Sequence, residues 1–130
     1  MIKVIVLDLD DTLIDTSSLE PLRSAGRWRD IPRYFNGCAV YQSVVGLVTT
    51  ARSVGIKVAI FSNAPSNYVQ GLLKHFSIAV DYVVAYHDVT QHKPSPEGVT
   101  RIIEYFGVSA EESIYLGDSN LDRDAASNAG

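Results

Sequence analysis

The chain has 130 residues, of which 46% are apolar and 20% are charged, as in a single globular domain with a sizeable core. Its net charge of −4 gives no general attraction to nucleic acid or to an anionic membrane. No apolar run approaches the ~20 residues of a membrane span, and the short N-terminal apolar run is followed by acids, unlike a signal peptide. The only cysteine, Cys38, has no internal disulfide partner, so we expect a cytoplasmic protein.

The first predicted strand carries the most informative pattern of the chain. Val4 to Leu7 form a buried run rich in β-branched residues, and Asp8, Asp10 and Asp11 follow it. One interpretation is an acidic turn, because aspartate favours turns. The other is a ligand site, because α/β sheets bind ligands at the carboxyl ends of their strands and neighbouring carboxylates need a cation. Oxygen ligands favour a hard cation such as Mg²⁺.

Residues 13–37 form the least regular segment of the sequence. Two prolines and two glycines interrupt any long helix there. The segment is either a solvated loop with its arginines along the surface, or a short lid whose cations and rings contact an anionic or planar leaving group. The cationic and aromatic residues in question are Arg23, Arg27, Trp28, Arg29, Arg33, Tyr34 and Phe35.

The rest of the chain alternates helices and strands. Apolar residues at three- and four-residue steps predict helices over 39–53, over about 66–76 and from Pro96 to Gly107. Runs rich in β-formers predict strands over 56–61, within 81–86 and over 113–116. Ser109 and Glu112 have capping-box spacing, and a last helix follows near residue 122. This alternation predicts an α/β fold with a doubly wound, mostly parallel sheet, in one domain over 1–130.

Polar clusters follow each of the four predicted strands of this sheet. Taken singly, each has an ordinary structural explanation: a helix cap, a solvated loop lysine or an acidic turn. Because parallel strands present their carboxyl ends at one edge, we instead expect the clusters to converge on a single site. They are Asp8 with Asp10, Ser62 with Asn63, Lys93 in the loop after the third strand, and Asp118 with Asp122.

These residue types together suit phosphoryl transfer. An aspartate such as Asp8 can attack phosphorus and form an aspartyl-phosphate. Because two anions must then meet, Mg²⁺ and the compact charge of Lys93 would be needed to offset their repulsion. The Ser62 hydroxyl and nearby backbone N–H groups could hold the phosphoryl oxygens. Asp118 would add a metal ligand, and Asp122 would hold a metal-bound water or orient Lys93.

The clusters resemble the four motifs of the haloacid dehalogenase-like hydrolases. Asp8, Asp10 and Thr12 match the family's D-x-D-x-T motif, and Ser62 matches the Ser or Thr after its second strand. Residues 93–97 match K-P-x-P-E, residues 117–122 match G-D-S-x-x-D, and an A-A-x-x-A-G pattern follows at 125–130. The resemblance spans residues 2–130 and is weakest from residue 17 to about residue 37.

The resemblance implies a role for each matching residue. Asp8 would be the nucleophile, and Asp10 the general acid and base, with a backbone carbonyl that also reaches Mg²⁺. It implies a Rossmann-like core with little or no cap domain, in which residues 13–37 form at most a flap. The implied catalytic residues are Asp8, Asp10, Ser62 and Lys93. The implied phosphate-binding residues are Thr12, Ser62, Asn63 and Lys93, and the implied metal ligands are Asp8, Asp10, Asp118 and Asp122.

Asp10 favours one activity within this family. Its dehalogenases and phosphonatases lack an acid at that position and its transport ATPases carry threonine, whereas an aspartate can protonate the leaving oxygen of a phosphate ester. The main hypothesis is therefore a Mg²⁺-dependent phosphatase that acts on a small-molecule phosphate monoester. A phosphomutase or phosphotransferase shares the motifs but normally has a fuller cap than the short spacing from Asp8 to Ser62 accommodates. A non-catalytic phosphate-binding protein on the same fold is the remaining alternative.

The sequence ends at Gly130, where members of this family usually continue into another strand. We therefore expect either a truncated chain or a sheet with an unpaired edge. Because an unpaired edge invites pairing with another chain, we predict that this chain forms a homodimer or is less stable than full-length relatives.

Overall fold

Strand β1 (Val4–Leu7) lies inside the sheet because all four of its side chains are apolar and buried. In the computed structural model, which describes residues 1–130, it pairs in parallel with β4 (Lys57–Phe61) and with β6 (Ser113–Leu116). Strand β5 (Tyr82–Val84) pairs in parallel with β4, so the order is β5–β4–β1–β6. The predicted parallel sheet is confirmed, and the four strands end at the same edge.

The side chains of β1 alternate between two apolar clusters, one on each face of the sheet. Ile5 and Leu7 pack with α2 (Gln42–Ser53) and α3 (Ser66–His75). Val4 and Val6 pack on the other face with α4 (Glu97–Phe106) and α5 (Asn120–Ala129). Helices therefore cover both faces, which is the doubly wound arrangement predicted from the alternation of elements.

Residues 13–37, which we call the flap, form short elements on the same face as α2 and α3. Leu19 and Ile31 are fully buried there, and Phe35 nearly so. The flap is therefore packed on the core through its apolar side chains. Its elements are β2 (Ile14–Asp15), a 3-10 turn (Ser17–Leu19), α1 (Glu20–Ser24) and a 3-10 segment (Ile31–Gly37).

Two predicted helix starts are wrong by one to three residues. The helix predicted from residue 39 begins at Gln42, because Ala39 and Val40 form β3, which pairs antiparallel with β2. The helix predicted from Pro96 begins at Glu97, with the proline in the N-cap position. Two-residue strands such as β2 and β3 leave no periodicity in a sequence, so the small sheet that closes the flap was not predicted.

The end of α4 and the turn after it follow the prediction. Gly107 ends the helix with a left-handed φ of 66°, which glycine adopts without strain. The Glu112 carboxylate accepts the backbone N–H of Ser109 and its hydroxyl, each at 3.1 Å, in the predicted capping box. Strand β6 begins at the next residue, Ser113.

The outer strands of the sheet are β5 and β6. Each of them therefore pairs along one side only, and the Ile114 side chain on β6 is exposed. The homodimer expected from such an edge stays a prediction. No helix of the protein combines the length and the apolar character needed to cross a membrane.

Candidate active site

The Asp8 carboxylate lies directly beyond β1. The backbone N–H of Asp8 donates to the Leu116 carbonyl oxygen of β6 at 2.9 Å. Pairing with the sheet therefore fixes the backbone position of Asp8. Its Oδ1 accepts the Leu9 N–H at 2.8 Å and Lys93 Nζ at 3.2 Å. Burial raises the pKa of Asp8 to about 7; Lys93 opposes this shift, and the Asp122 carboxylate adds to it.

Lys93 reaches Asp8 from the loop between β5 and α4. Its side chain is only 5% exposed. The ammonium donates to Asp8, to the Phe61 carbonyl oxygen at 3.0 Å and to Asp122, and it lies 4.8 Å from the centroid of the Phe61 ring. Three acceptors match the three protons of an ammonium. Lys93 is therefore held as a point charge between two carboxylates.

Asp122, on the first turn of α5, is only 2% exposed, and both of its oxygens are occupied. Oδ1 accepts from Lys93 and from the Tyr115 hydroxyl at 2.6 Å, and Oδ2 accepts the Ser119 hydroxyl at 2.9 Å. Burial raises the pKa of Asp122, but the bonds from Lys93 and Tyr115 outweigh it and hold that pKa below its usual value. Gly117 permits this packing, because a Cβ there would collide with the Asp122 side chain.

Asp10 receives donors from three places. Its Oδ1 accepts the Thr16 hydroxyl at 2.7 Å and the Tyr68 hydroxyl at 2.5 Å, and its Oδ2 pairs with Arg23 at 3.0 Å. Arg23 also pairs with Glu20 at 3.1 Å. Burial lowers the pKa of the Arg23 guanidinium, but Asp10 and its other anionic neighbours raise it, and the net shift is upward. Asp10 is thus bonded to the flap and to α3 at once.

The cluster after β4 lies beside Asp8. Ser62 and Asn63 line the same cavity; the Ser62 hydroxyl oxygen accepts the Ala64 N–H at 3.0 Å, and Asn63 Oδ1 accepts the Lys93 N–H at 3.4 Å. Thr12 does not line this cavity, and its buried hydroxyl has no hydrogen-bond partner. The structure therefore brings Ser62 and Asn63 to the predicted site and leaves Thr12 outside its wall.

Carboxylate oxygens of Asp8, Asp118 and Asp122 lie within 4.8 Å of one another. Asp118 is exposed, whereas the other two are buried. Oxygen donors are the ligands that Mg²⁺ prefers. Three carboxylates beside the single cation Lys93 also leave an excess of negative charge. The residues present therefore fit a hard divalent cation.

These groups surround a cavity of about 540 Å³ at the carboxyl edge of the sheet. The flap contributes Glu20, Arg23, Ser24 and Trp28 to the wall of this cavity. A groove of about 560 Å³ lies elsewhere, between α2 and the start of β4. We place the site in the first cavity, because only there do all four predicted clusters meet.

Several groups of the site were not identified by sequence reasoning. Thr16, Tyr68 and Tyr115 each donate a hydroxyl to a carboxylate of the site, yet the two tyrosines occupy positions that read as apolar faces of a helix and a strand. The sequence offers one indication of such a role, because the hydroxyl of a buried tyrosine needs a hydrogen-bond partner. Of the flap arginines, Arg23 reaches the site, whereas Arg27 pairs with Asp30 at 2.8 Å.

Comparison with known proteins finds relatives that are named as phosphatases. The chain is 28% identical over 122 residues to a protein of Clostridium perfringens assigned as a pyrophosphatase, PpaX, over 89% of this chain and 55% of that protein. It is 29% identical over 93 residues to the phosphoglycolate phosphatase of Pseudomonas putida, over 70% of this chain and 34% of the relative. The chain thus spans between a third and just over half of the length of these relatives.

The fold has a counterpart among solved structures. CbbY from Rhodobacter sphaeroides, solved in complex with phosphate, superimposes with a TM-score of 0.86 at 19% identity, over 99% of this chain and 83% of that one. At that identity the likeness shows the fold alone.

The family model described as haloacid dehalogenase-like hydrolase matches residues 26–130. That range is most of the chain, and it contains the clusters at Ser62, Lys93 and Asp118. The first cluster, at Asp8, precedes it and meets the others in the cavity. The chain therefore belongs to the haloacid dehalogenase-like hydrolase family.

Proposed function

We propose that this protein is a Mg²⁺-dependent phosphatase that hydrolyses a small-molecule phosphate monoester through an aspartyl-phosphate on Asp8. The observation that carries the proposal is the buried chain of contacts from Asp8 through Lys93 to Asp122, beside Asp10 in one cavity. The relative named phosphoglycolate phosphatase supports a phosphate ester as the substrate.

Asp8 is suited to attack phosphorus. Its Oδ1 is engaged by Leu9 and Lys93, whereas Oδ2 accepts no hydrogen bond from the protein. This free oxygen forms the bond to phosphorus as the bond to the leaving oxygen breaks. Water then attacks phosphorus, releases inorganic phosphate and regenerates the carboxylate.

Asp10 handles the protons of both steps. It gives a proton to the leaving oxygen in the first step and takes one from the attacking water in the second. Its place on the cavity wall, two residues beyond the nucleophile, supports this role. The Asp10 side chain is 20% exposed, and its Oδ2 accepts only from Arg23, so one lone pair of that oxygen is open to a proton.

The remaining residues handle charge. Asp8 and Asp118 would hold Mg²⁺, together with the Asp10 backbone carbonyl that the family resemblance implies. The ion would supply positive charge that offsets the repulsion between a carboxylate and a phosphoryl group. Ser62, Asn63 and Lys93 would hold the phosphoryl oxygens.

Of the roles predicted from the sequence, this proposal keeps for Asp122 only the orientation of Lys93, and it moves Thr12 from phosphate binding to support of the fold. Asp122 is only 2% exposed, and its oxygens are bonded to Lys93, Tyr115 and Ser119, so we assign it to anchoring the lysine. Thr12 lies outside the cavity wall, and its backbone N–H donates to the Leu9 carbonyl oxygen at 3.4 Å. We assign Thr12 to the turn that follows β1.

The test is phosphate release from a panel of phosphomonoesters, with Mg²⁺ and with chelator, by the wild type and by Asp8→Asn. We expect release that requires Mg²⁺ and that the substitution abolishes. Burial raises the pKa of Asp8 to about 7, so an uncharged asparagine should not unfold the protein, which a melting curve checks. Asp124→Asn, at an exposed position of α5, is the matched control and should retain activity.

Two results would contradict the proposal. Undiminished release by Asp8→Asn would exclude Asp8 as the nucleophile. Interconversion of a sugar phosphate without release of phosphate would favour the phosphomutase alternative.

A further inference from the structure

The bonds to the Asp10 carboxylate come from the flap and from α3. Thr16 and Arg23 belong to the flap and Tyr68 to α3, and together they occupy both carboxylate oxygens. A carboxylate at the edge of a sheet can otherwise rotate in water. Here donors on two sides fix its orientation, because each oxygen has its own partner.

Arg23 is placed for this contact. It lies on the short surface helix α1, yet its side chain is only 15% exposed. One terminal nitrogen pairs with Asp10 at 3.0 Å and the other with Glu20 at 3.1 Å. Its neighbour Arg27, by contrast, is 62% exposed and pairs only within the flap. The buried guanidinium therefore joins the flap to the proposed acid and base.

Tyr68 makes the second connection. Its ring packs edge-on against Trp28 of the flap, with centroids 5.3 Å apart. Its hydroxyl donates to Asp10 Oδ1 at 2.5 Å. Tyr68 is buried. A shift of the flap on the core would therefore disturb both the packing of its ring on Trp28 and the hydrogen bond from its hydroxyl to Asp10.

We propose that Arg23 and Tyr68 are positioning residues for Asp10, which couple the docking of the flap to proton transfer. The inference rests on the proposed phosphatase function. Neither residue is required to touch the phosphoryl group. Each acts by holding the Asp10 carboxyl group in place, so that Oδ2, which accepts only from Arg23, can carry the proton that the leaving oxygen takes. Loss of that orientation slows proton transfer more than it weakens substrate binding.

Leaving groups of different basicity separate this role from general support of the fold. p-Nitrophenolate departs without a proton, whereas an alkoxide needs one. Single turnovers with enzyme in excess report the first step alone, through release of the alcohol or of p-nitrophenol. The variants are Arg23→Gln, Arg23→Lys and Tyr68→Phe, with Arg29→Gln as the matched control, because Arg29 is an exposed flap arginine.

We expect Arg23→Gln and Tyr68→Phe to slow turnover of an alkyl phosphate at least about tenfold more than turnover of p-nitrophenyl phosphate. Arg23→Lys should restore part of the loss. Steady-state measurements with the same esters should show that KM changes little. Arg29→Gln should match the wild type with both esters. If Arg23→Gln fails to fold, Tyr68→Phe carries the test, because it keeps the ring against Trp28.

Equal losses with the two esters would overturn this inference and leave the phosphatase function standing, because the wild type would still be active. A folded wild type that releases neither leaving group would overturn the proposed function, and this inference with it. A rise in KM at constant kcat would show that Arg23 or Tyr68 binds substrate instead of positioning Asp10.

Discussion

Two aspartates of the site share one lysine, yet their pKa values move in opposite directions. Burial raises the pKa of Asp8 to about 7, whereas that of Asp122 lies below its usual value. The difference comes from the remaining partners, because Asp122 also accepts the hydroxyls of Tyr115 and Ser119 and Asp8 accepts only one backbone N–H besides Lys93. The less stabilised carboxylate is the one that a metal and a phosphoryl group would approach.

Tyr115→Phe should therefore loosen the anchor of Lys93. The hydroxyl donates to a buried carboxylate at 2.6 Å, and such a bond contributes about 1.5–3 kcal/mol. We expect a lower melting temperature and a kcat for phosphate release reduced roughly tenfold. Tyr105→Phe, at an exposed position of α4, should change neither quantity. A lower melting temperature with unchanged kcat would show that Tyr115 only stabilises the fold.

The predictable elements are those that bury a continuous apolar face. The strands predicted at Val4–Leu7 and over 113–116 have their observed bounds. The small sheet of β2 and β3 was not predictable, because it depends on pairing between distant residues. The same holds for the site. Its motif residues were predictable from their spacing in the sequence, whereas the contacts of Asp10 with Arg23 and Tyr68 were not, because they form only when the flap packs on the core.

Two helical glycines should respond oppositely to alanine. Gly46 lies in α2 with open space where a Cβ would stand, so Gly46→Ala should stabilise the protein by up to ~1 kcal/mol. A Cβ at Gly98 of α4 would collide with the Phe61 ring, so Gly98→Ala should destabilise it by about 1–3 kcal/mol. Urea unfolding measures both changes. Equal effects of the same sign would show that the packing of α4 on β4 is not as tight as described.

Carboxylates lie at both ends of the strands of the sheet, but they differ in how far cations and hydrogen-bond donors balance their charge. The cavity at the carboxyl edge is lined by six carboxylates and two cationic side chains, which favours binding of a divalent cation. At the other edge Asp81, before β5, has its own partners: its Oδ2 accepts the Val58 N–H at 2.8 Å, and its Oδ1 pairs with Arg52 at 3.3 Å. The carboxylates of the cavity repel one another, and a bound cation would reduce that repulsion, whereas the paired Asp81 stabilises the fold.

The contribution of Asp81 should appear as acid lability. Burial raises its pKa, but the Val58 N–H and the Arg52 guanidinium outweigh this, and the folded pKa lies below the ordinary value. The stabilisation is thus present above the unfolded pKa of about 3.9 and is lost as pH falls through the folded pKa. Asp81→Asn should be less stable than the wild type by about 1 kcal/mol at pH 7, and the difference should close once pH falls below the folded pKa of Asp81.

Urea unfolding of both proteins across this pH range measures the difference directly. Asp8 contributes with the opposite sign, because its raised pKa means that stability is lost as pH rises through about 7. That contribution is common to the wild type and to Asp81→Asn, so it cancels in the comparison. A difference in the free energy of unfolding that stayed constant from pH 7 to pH 2 would show that Asp81 acts through hydrogen-bond geometry that asparagine disturbs, and not through its charge.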